Sequence, residues 1–248
     1  MKQTTHTLIN DDCLHFLHAR STGQRWDTIF ADPPDNIGAK YAQYNDRISE
    51  SEYRNLLWRW IDSFIFRAGT VWLSFNARWS VAVGVIAESL RSGIEVKPCV
   101  QTFTFGQHNH HDLGNNHRPL WRFRHKDAPL LPDAIRVPSW RQKNGDKRAD
   151  PRGRVPGDVF DFPRVVGNSK QRRKWHPTQL NEGLVERCLR LTTPPGGSVL
   201  DPFAGTGTTL RVCKRIGLSS TSIELDREYC ERITREHGTQ WHDPRGGS

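Results

Sequence analysis

The segment Asp32-Pro33-Pro34-Asp35 follows the apolar run Trp26-Asp27-Thr28-Ile29-Phe30-Ala31, and its residue types suit one kind of chemistry. An aromatic amine is a weak nucleophile because its lone pair is delocalised into the ring. Attack from such a nitrogen needs acceptors that hold both N–H bonds and draw it towards tetrahedral geometry. The Asp32 carboxylate and the Pro33 carbonyl can act as those acceptors, while the two prolines fix the backbone and remove competing N–H donors. A plain turn after a strand is the competing reading of Asp-Pro-Pro.

A second segment, Asp201-Pro202-Phe203-Ala204-Gly205-Thr206-Gly207-Thr208-Thr209, lies between the apolar Ser198-Val199-Leu200 and an amphipathic stretch. Its glycines allow a tight turn and a close backbone approach to a ligand, so Asp201, Gly205, Thr206, Gly207 and Thr208 read as a cofactor cradle. Glu224 ends the next expected strand, Ser222-Ile223-Glu224, about twenty residues beyond the loop, where an acidic side chain can grip both hydroxyls of a ribose. An adenosine-containing ligand follows. Leu210 stands where the dinucleotide pattern would continue towards its third glycine, which ranks S-adenosylmethionine above a nicotinamide cofactor. No metal is called for. The histidines His108, His110, His111, His117 and His125 lack a ligand spacing and neighbouring cysteines, and read as a polar loop facing the partner.

The elements that must position these loops alternate between strand and helix. Strands are expected over Trp26–Asp32, Thr70–Phe75 and Ser198–Asp201, and another ends at Glu224; the short apolar runs fit buried parallel strands. Helices are expected over Ser51–Phe66, with Ser49 and Ser51 as cap candidates, over about Ser80–Arg91 before Gly93, and from His176 through Leu191. Alternation over Val100–Phe105 and Pro119–Phe123 predicts an antiparallel hairpin with a polar tip over Gly106–Arg118. Residues 126–174 show no sustained period and read as a small basic insertion, and the tail from Gly238 as frayed.

Lys and Arg total 36 against 27 Asp and Glu, a formal charge of +9, and the pI is near 9.6. Such a balance favours a polyanionic partner, nucleic acid being the simplest. Five scattered cysteines without CxxC spacing argue against a disulfide framework or zinc site, and fit a reducing compartment. The N-terminus opens into no apolar run, and the longest apolar stretch is too short to span a bilayer. The expectation is a cytoplasmic protein without a membrane partner, of one domain with insertions at 248 residues.

Together these residues resemble the DNA amino-methyltransferases that modify adenine N6 or cytosine N4. Asn10-Asp11-Asp12-Cys13-Leu14 resembles their N-terminal acidic motif, Phe30–Gly38 the catalytic motif, Trp175–Gln179 the amino-terminal cofactor motif and Leu200–Thr209 the glycine motif. The catalytic loop precedes the cofactor loop, as in the beta-class permutation of that family. The resemblance implies an α/β, Rossmann-like methyltransferase sheet, mostly parallel and seven-stranded with an antiparallel hairpin. It divides the chain into a catalytic half (1–125), a basic target-recognition insertion (126–174), a cofactor-binding half (175–237) and a tail (238–248). It implies that Phe203, Gly205, Gly207 and Glu224 line the cofactor, that Asp12 lies near its adenine, and that His176 and Thr178 close over its methionine end. Asp32, Pro33, Pro34 and Asp35 form the catalytic loop, and the base is flipped out of double-stranded DNA to reach it.

Asp at position 32 rather than Ser points, through the resemblance, to adenine N6 ahead of cytosine N4. Position 35 departs from the family, with Asp where an aromatic normally stacks on the extruded base; Tyr41, Tyr44, Phe103 or Phe105 could supply a substitute face. Leu180-Asn181 also departs from the usual Lys-Pro. Between Arg136 and Lys174 stand twelve Lys and Arg residues, a candidate phosphate clamp against the reading of a solvated charge run. The small recognition region leaves a homodimer open. A nucleic-acid-binding protein of the same fold without turnover, and an RNA or protein-amide methyltransferase, are the rival functions.

Overall fold

The computed structural model describes residues 4–19, 23–41, 43–103 and 109–244. Along the chain these form β1 (His6–Asn10), α1 (Cys13–Ala19), β2 (Trp26–Ala31), α2 (Glu50–Arg67), β3 (Ala68–Ser74), α3 (Ser80–Glu88), β4 (Ile94–Lys97), β5 (Val100–Thr102) and β6 (His117–His125). The second half continues with α4 (Trp140–Lys143), β7 (Val159–Asp161), α5 (Glu182–Thr192), β8 (Ser198–Asp201), α6 (Thr208–Ile216), β9 (Ser219–Glu224), α7 (Arg227–His237) and β10 (Trp241–His242).

The expected alternation is present, but the sheet is larger than seven strands. Ten described strands join in the order β10-β1-β9-β8-β2-β3-β6-β5-β7, with β4 also paired to β6. From β10 to β3 every pairing is parallel. β6 then runs antiparallel to β3, β4 and β5, which gives the expected hairpin. β2 shows why the parallel part reads as apolar runs: Ile29, Phe30 and Ala31 are at most 1% exposed because helices cover both faces. Burying one such large side chain is worth about 1.5–3 kcal/mol.

The order of strands turns at β8 and β2, which are neighbours although most of the chain separates them. From β8 the chain passes outwards to β9, and from β2 in the opposite direction to β3. Parallel α/β sheets open a crevice at the carboxyl ends of strands where the order reverses in this way. The Asp32–Asp35 loop leaves β2 and the glycine loop leaves β8, so the permuted order still sets them side by side.

Several boundaries moved. α2 begins at Glu50, with Ser49 as N-cap and a full capping box to Glu52. His176–Asn181 is not helical: Pro177 disfavours helix before it, and α5 starts only after Asn181, whose side chain accepts from the Gly183 N–H. His117 and Arg118, expected in the hairpin tip, belong to β6. The tail is ordered through His242, since Trp241 pairs beside Leu8 of β1 and packs against the small core cluster of Leu8, Ala204, Leu210, Cys230 and Ile233. Within 126–174, β7 joins the sheet parallel to β5. No described helix is long and apolar enough to cross a membrane.

Candidate active site

Four acidic residues converge at the carboxyl ends of the neighbouring strands β1, β9, β8 and β2. Asn10 ends β1 and Asp11 follows it, Asp32 follows β2, Asp201 ends β8 and Glu224 ends β9. Between them lies a pocket lined by Asp11, Asp12, Asp32, Asp201, Glu224 and Asp226, with Phe30, Tyr41, Tyr44, Trp60, Leu180, Phe203 and Tyr229 forming apolar walls. Phe203 is held by Trp60, ring centroids 5.2 Å apart and nearly perpendicular. Gly205, Thr206 and Thr208 line the same pocket, as do His176 and Thr178.

Gly207 does not. It is the left-handed N-cap of α6 at φ 71°, and a Cβ there would meet Ile233 of α7 at 3.3 Å. Its lack of a side chain serves helix packing rather than ligand approach. Gly205, at φ 51°, has His176 above it, where a Cβ would stand 3.2 Å from Nε2. The His176 ring is buried and its pKa lowered to about 4, chiefly by desolvation, so it is neutral near pH 7.

Glu224 joins the two cofactor motifs. Its Oε2 accepts from the Gly205 N–H at 2.7 Å and its Oε1 from the Asp226 N–H at 2.9 Å. Burial nevertheless raises its pKa to about 7, helped by the charges of Asp226 and Asp201. Asp201 is likewise raised by burial, to about 6, against hydrogen bonds from Thr209 and the Phe203 N–H. Asp226 caps α7 through Oδ1, while its buried Oδ2 accepts from no described residue. Asp12 lines the pocket rim, exposed, and caps the His15 N–H.

The Asp32–Asp35 loop stands in the wall between this pocket and a second cleft. The cleft is lined by Asp32, Pro33, Asp35, Tyr41, Asn76, Gln101, Phe103, His117, Arg118, Arg164 and Thr178. Asp32, Tyr41 and Thr178 therefore border both spaces. Pro34 faces the first pocket, and its carbonyl accepts from Tyr53 Oη at 2.5 Å. The Pro33 carbonyl accepts from no described residue. Behind the loop, the Asp46 carboxylate gathers the N–H groups of Asn36, Ile37 and Ala39 at 2.7–3.1 Å, fixing the turn that carries Tyr41.

Asp35 does not lie open as a substrate acceptor. Its Oδ2 accepts from Arg118 Nη1 at 2.6 Å and its Oδ1 from the Asn76 N–H at 2.8 Å. Of the substitute aromatic faces, Phe103 lines the cleft beneath Arg164, whose Cζ is 5.1 Å from the ring centroid. Tyr41 borders both spaces, Tyr44 only the first pocket, and Phe105 lies outside the described residues. Arg118, Trp60, Tyr229 and Asp226 were not singled out from the sequence. Trp60 and Tyr229 sit in helices where an aromatic reads as core, and nothing local to Arg118 marks it. His110 and His111 are exposed, His125 contacts the Ile65 carbonyl, His117 lines the cleft, and His108 lies outside the described residues.

Residues 26–236 match the family model of DNA methylases acting on N6 or N4. The chain is 31% identical over 248 aligned residues to the DNA adenine methyltransferase YhdJ of Escherichia coli (strain K12), covering 90% of this chain and 79% of that protein. It is 30% identical over 211 residues to the type II methyltransferase M.HpaI of Haemophilus parainfluenzae, covering 83% of this chain and 66% of that one. Among solved structures, the PvuII DNA methyltransferase (cytosine-N4-specific) shares the fold with a TM-score of 0.70 at 14% identity, over 98% of this chain and 89% of that one. The M1.HpyAVI–SAM complex does so with a TM-score of 0.66 at 19% identity, over 93% and 98%.

Proposed function

The chain belongs to the DNA methylase family of S-adenosylmethionine-dependent amino-methyltransferases, and from that premise we propose that it methylates adenine N6 in double-stranded DNA. The observation that carries this reading is the place of Asp32, on the wall shared by a pocket ringed by carboxylates and aromatic side chains and an open cleft. A donor held in the first space and a base held in the second meet at this carboxylate.

The residues of the first pocket fit the cofactor. Glu224 keeps acceptor capacity for ribose hydroxyls beside its two backbone bonds, since each carboxylate oxygen takes more than one donor. The unpartnered Asp226 Oδ2 suits an exocyclic amine, and Phe203, Tyr229 and Trp60 suit an adenine ring. The excess of carboxylates suits a cationic ligand. When bound, S-adenosylmethionine supplies an electrophilic methyl group on a sulfonium centre.

In the second space the chain's own groups prepare the amine. Asp32 and the Pro33 carbonyl accept its two N–H bonds, which localises the nitrogen lone pair and aims it through the wall. The base reaches them by leaving the duplex. Phe103, backed by Arg164, offers it a stacking face in place of the aromatic absent at position 35. The basic segment 126–174, which contributes Arg164 to the cleft, acts as the recognition region and phosphate clamp. Adenine is preferred to cytosine because Asp occupies position 32, and the similarity to YhdJ, named as an adenine methyltransferase, supports that choice.

The test is incubation with methyl-labelled S-adenosylmethionine and unmethylated DNA, digestion to nucleosides and mass spectrometry, with Asp32→Ala as control. Labelled N6-methyladenine that disappears in the variant is the expected result. Labelled N4-methylcytosine would keep the mechanism and change the base. Label on RNA alone, or none despite cofactor binding, would overturn the reading.

A further inference from the structure

Position 35 carries a carboxylate at the reactive loop, and the fold supplies that carboxylate with a dedicated partner from a distant strand. Arg118 enters from β6, beside β3. Its Nη1 donates to Asp35 Oδ2 at 2.6 Å, and its Nη2 to Asp35 Oδ1 at 3.1 Å and to Asp32 Oδ1 at 2.8 Å. Its Nε donates to Ser74 Oγ at 2.7 Å. Asp35 is held in turn by the Asn76 N–H at 2.8 Å, and its carbonyl by Trp79 Nε1 at 2.7 Å. The guanidinium side chain is 21% exposed and lines the cleft with Asp32.

A guanidinium is a rigid planar fork whose N–H bonds leave in fixed directions. With four acceptor oxygens engaged, three from Asp32 and Asp35 on the loop after β2 and one from Ser74 of β3, this fork has no freedom to rotate, and the carboxylate that shares it is oriented too. We infer that Arg118 is a positioning residue for methyl transfer: anchored by Asp35, it aims the Asp32 carboxylate at the amine and balances its charge. The inference rests on the function proposed above and adds to it a residue outside the catalytic motif. It also gives Asp35 a task different from that of the aromatic it replaces.

The electrostatics agree with the geometry. Desolvation raises the pKa of Asp32, the Arg118 charge opposes that rise, Asp35 adds to it, and Ser74 hydrogen bonding lowers it. Asp201 from β8 and Tyr41 from the following loop also face Asp32. Without Arg118, a buried carboxyl beside two others would take up a proton and could no longer accept fully from an amine. With Asp35 neutralised and Arg118 kept, the balance moves the opposite way.

The experiment uses the full chain with ¹³C-carboxyl-labelled aspartate, Asp32 being assigned by the signal lost in Asp32→Asn. Its midpoint is followed by NMR in wild type, Arg118→Gln, Arg118→Lys and Asp35→Asn, alongside the pH profile of single-turnover methyl transfer and the cofactor Kd. In Arg118→Gln the Asp32 midpoint and the acid limb of the profile should rise together by roughly one unit or more, and the rate at pH 7 should fall about a hundredfold. The cofactor Kd should change little, and Arg118→Lys should restore the midpoint and part of the rate. Asp35→Asn should lower the midpoint. Midpoints unmoved in both Arg118→Gln and Asp35→Asn would overturn the inference. If Arg118→Gln does not fold, an unmoved midpoint in Asp35→Asn suffices to do so. A wild type that binds cofactor but methylates nothing would instead sink the proposed function, and the NMR midpoints would still decide the Arg118–Asp32 pairing.

Discussion

The Glu224 carboxylate accepts a hydrogen bond from the Gly205 backbone at 2.7 Å, tying the end of β9 to the turn that follows β8. One buried acid thereby shapes the glycine loop and faces the space where a ribose would lie. Its pKa, raised to about 7 mainly by burial, makes both jobs depend on pH.

Cofactor affinity should therefore rise as pH increases from 6 to 8, because the ionised carboxylate is the better acceptor for hydroxyl protons. The stability of the cofactor-free protein should run the other way. The folded-state pKa lies above the unfolded value of 4.5, so the folded state holds the extra proton between about 4.5 and 7, and stability falls as pH rises through that window. Glu224→Gln should flatten both profiles and weaken cofactor binding by about tenfold to a hundredfold. Calorimetric titration and melting curves across pH 5–8 would check this; an unchanged pH dependence in the variant would reject Glu224 as the titrating group.

A smaller change tests the turn itself. Gly205 combines φ 51° with a neighbouring His176 that a Cβ would approach to 3.2 Å. Gly205→Ala should cost about 1–3 kcal/mol of stability through left-handed strain. It should also weaken the cofactor by displacing His176, while Gly207→Ala, which presses on Ile233 of α7, should lower stability with less effect on affinity. Denaturant melts paired with cofactor titrations separate the two positions. Equal losses of affinity would show that both glycines serve the ligand.

How much of this was legible beforehand follows from where each signal resides. The loops after β2 and β8 were readable because short apolar runs must deliver something at their ends, and Asp-Pro-Pro and Gly-Thr-Gly are local patterns. The capping box of Ser49 and Glu52 is local as well. Arg118 was not readable, because its meaning lies in carboxylates 86 and 83 residues away that only the β3–β6 register brings to it. Gly207 looked like ligand contact since sequence shows a glycine's freedom but not which neighbour requires it. Trp241 was lost for the related reason that a two-residue edge strand carries no periodicity.

Restoring the expected aromatic should harm the enzyme. Asp35→Tyr would remove the acceptor for Arg118 Nη1 and for the Asn76 N–H, and place a ring where a fork and a turn now meet. Activity should fall by about tenfold or more, and stability by roughly 1–3 kcal/mol from the donors left unpaired. Affinity for DNA containing an abasic target should change less than the rate, since phosphate contacts dominate binding. A variant with raised rate and tighter base binding would mean that position 35 had lacked only a stacking face.

The basic segment can be tested by sorting its charges. Arg148 is held by Asp146 and Arg152 by Asp150, each through two side-chain hydrogen bonds, so their charges are already offset locally. Arg141, Lys143 and Lys147 are exposed and paired with no described carboxylate. If this face meets the DNA backbone, each neutralised phosphate adds about 0.9 to the slope of log K against log salt. The triple variant Arg141→Ala, Lys143→Ala, Lys147→Ala should flatten that slope by about 2–3, whereas Arg148→Ala with Arg152→Ala should flatten it by less, because those two cations are already engaged by Asp146 and Asp150 and neutralise fewer phosphates. Fluorescence anisotropy with duplex DNA from low to physiological salt gives the slopes. An unchanged slope in the triple variant would move the DNA to another face, leaving the cleft around Asp32 to be reached without this segment.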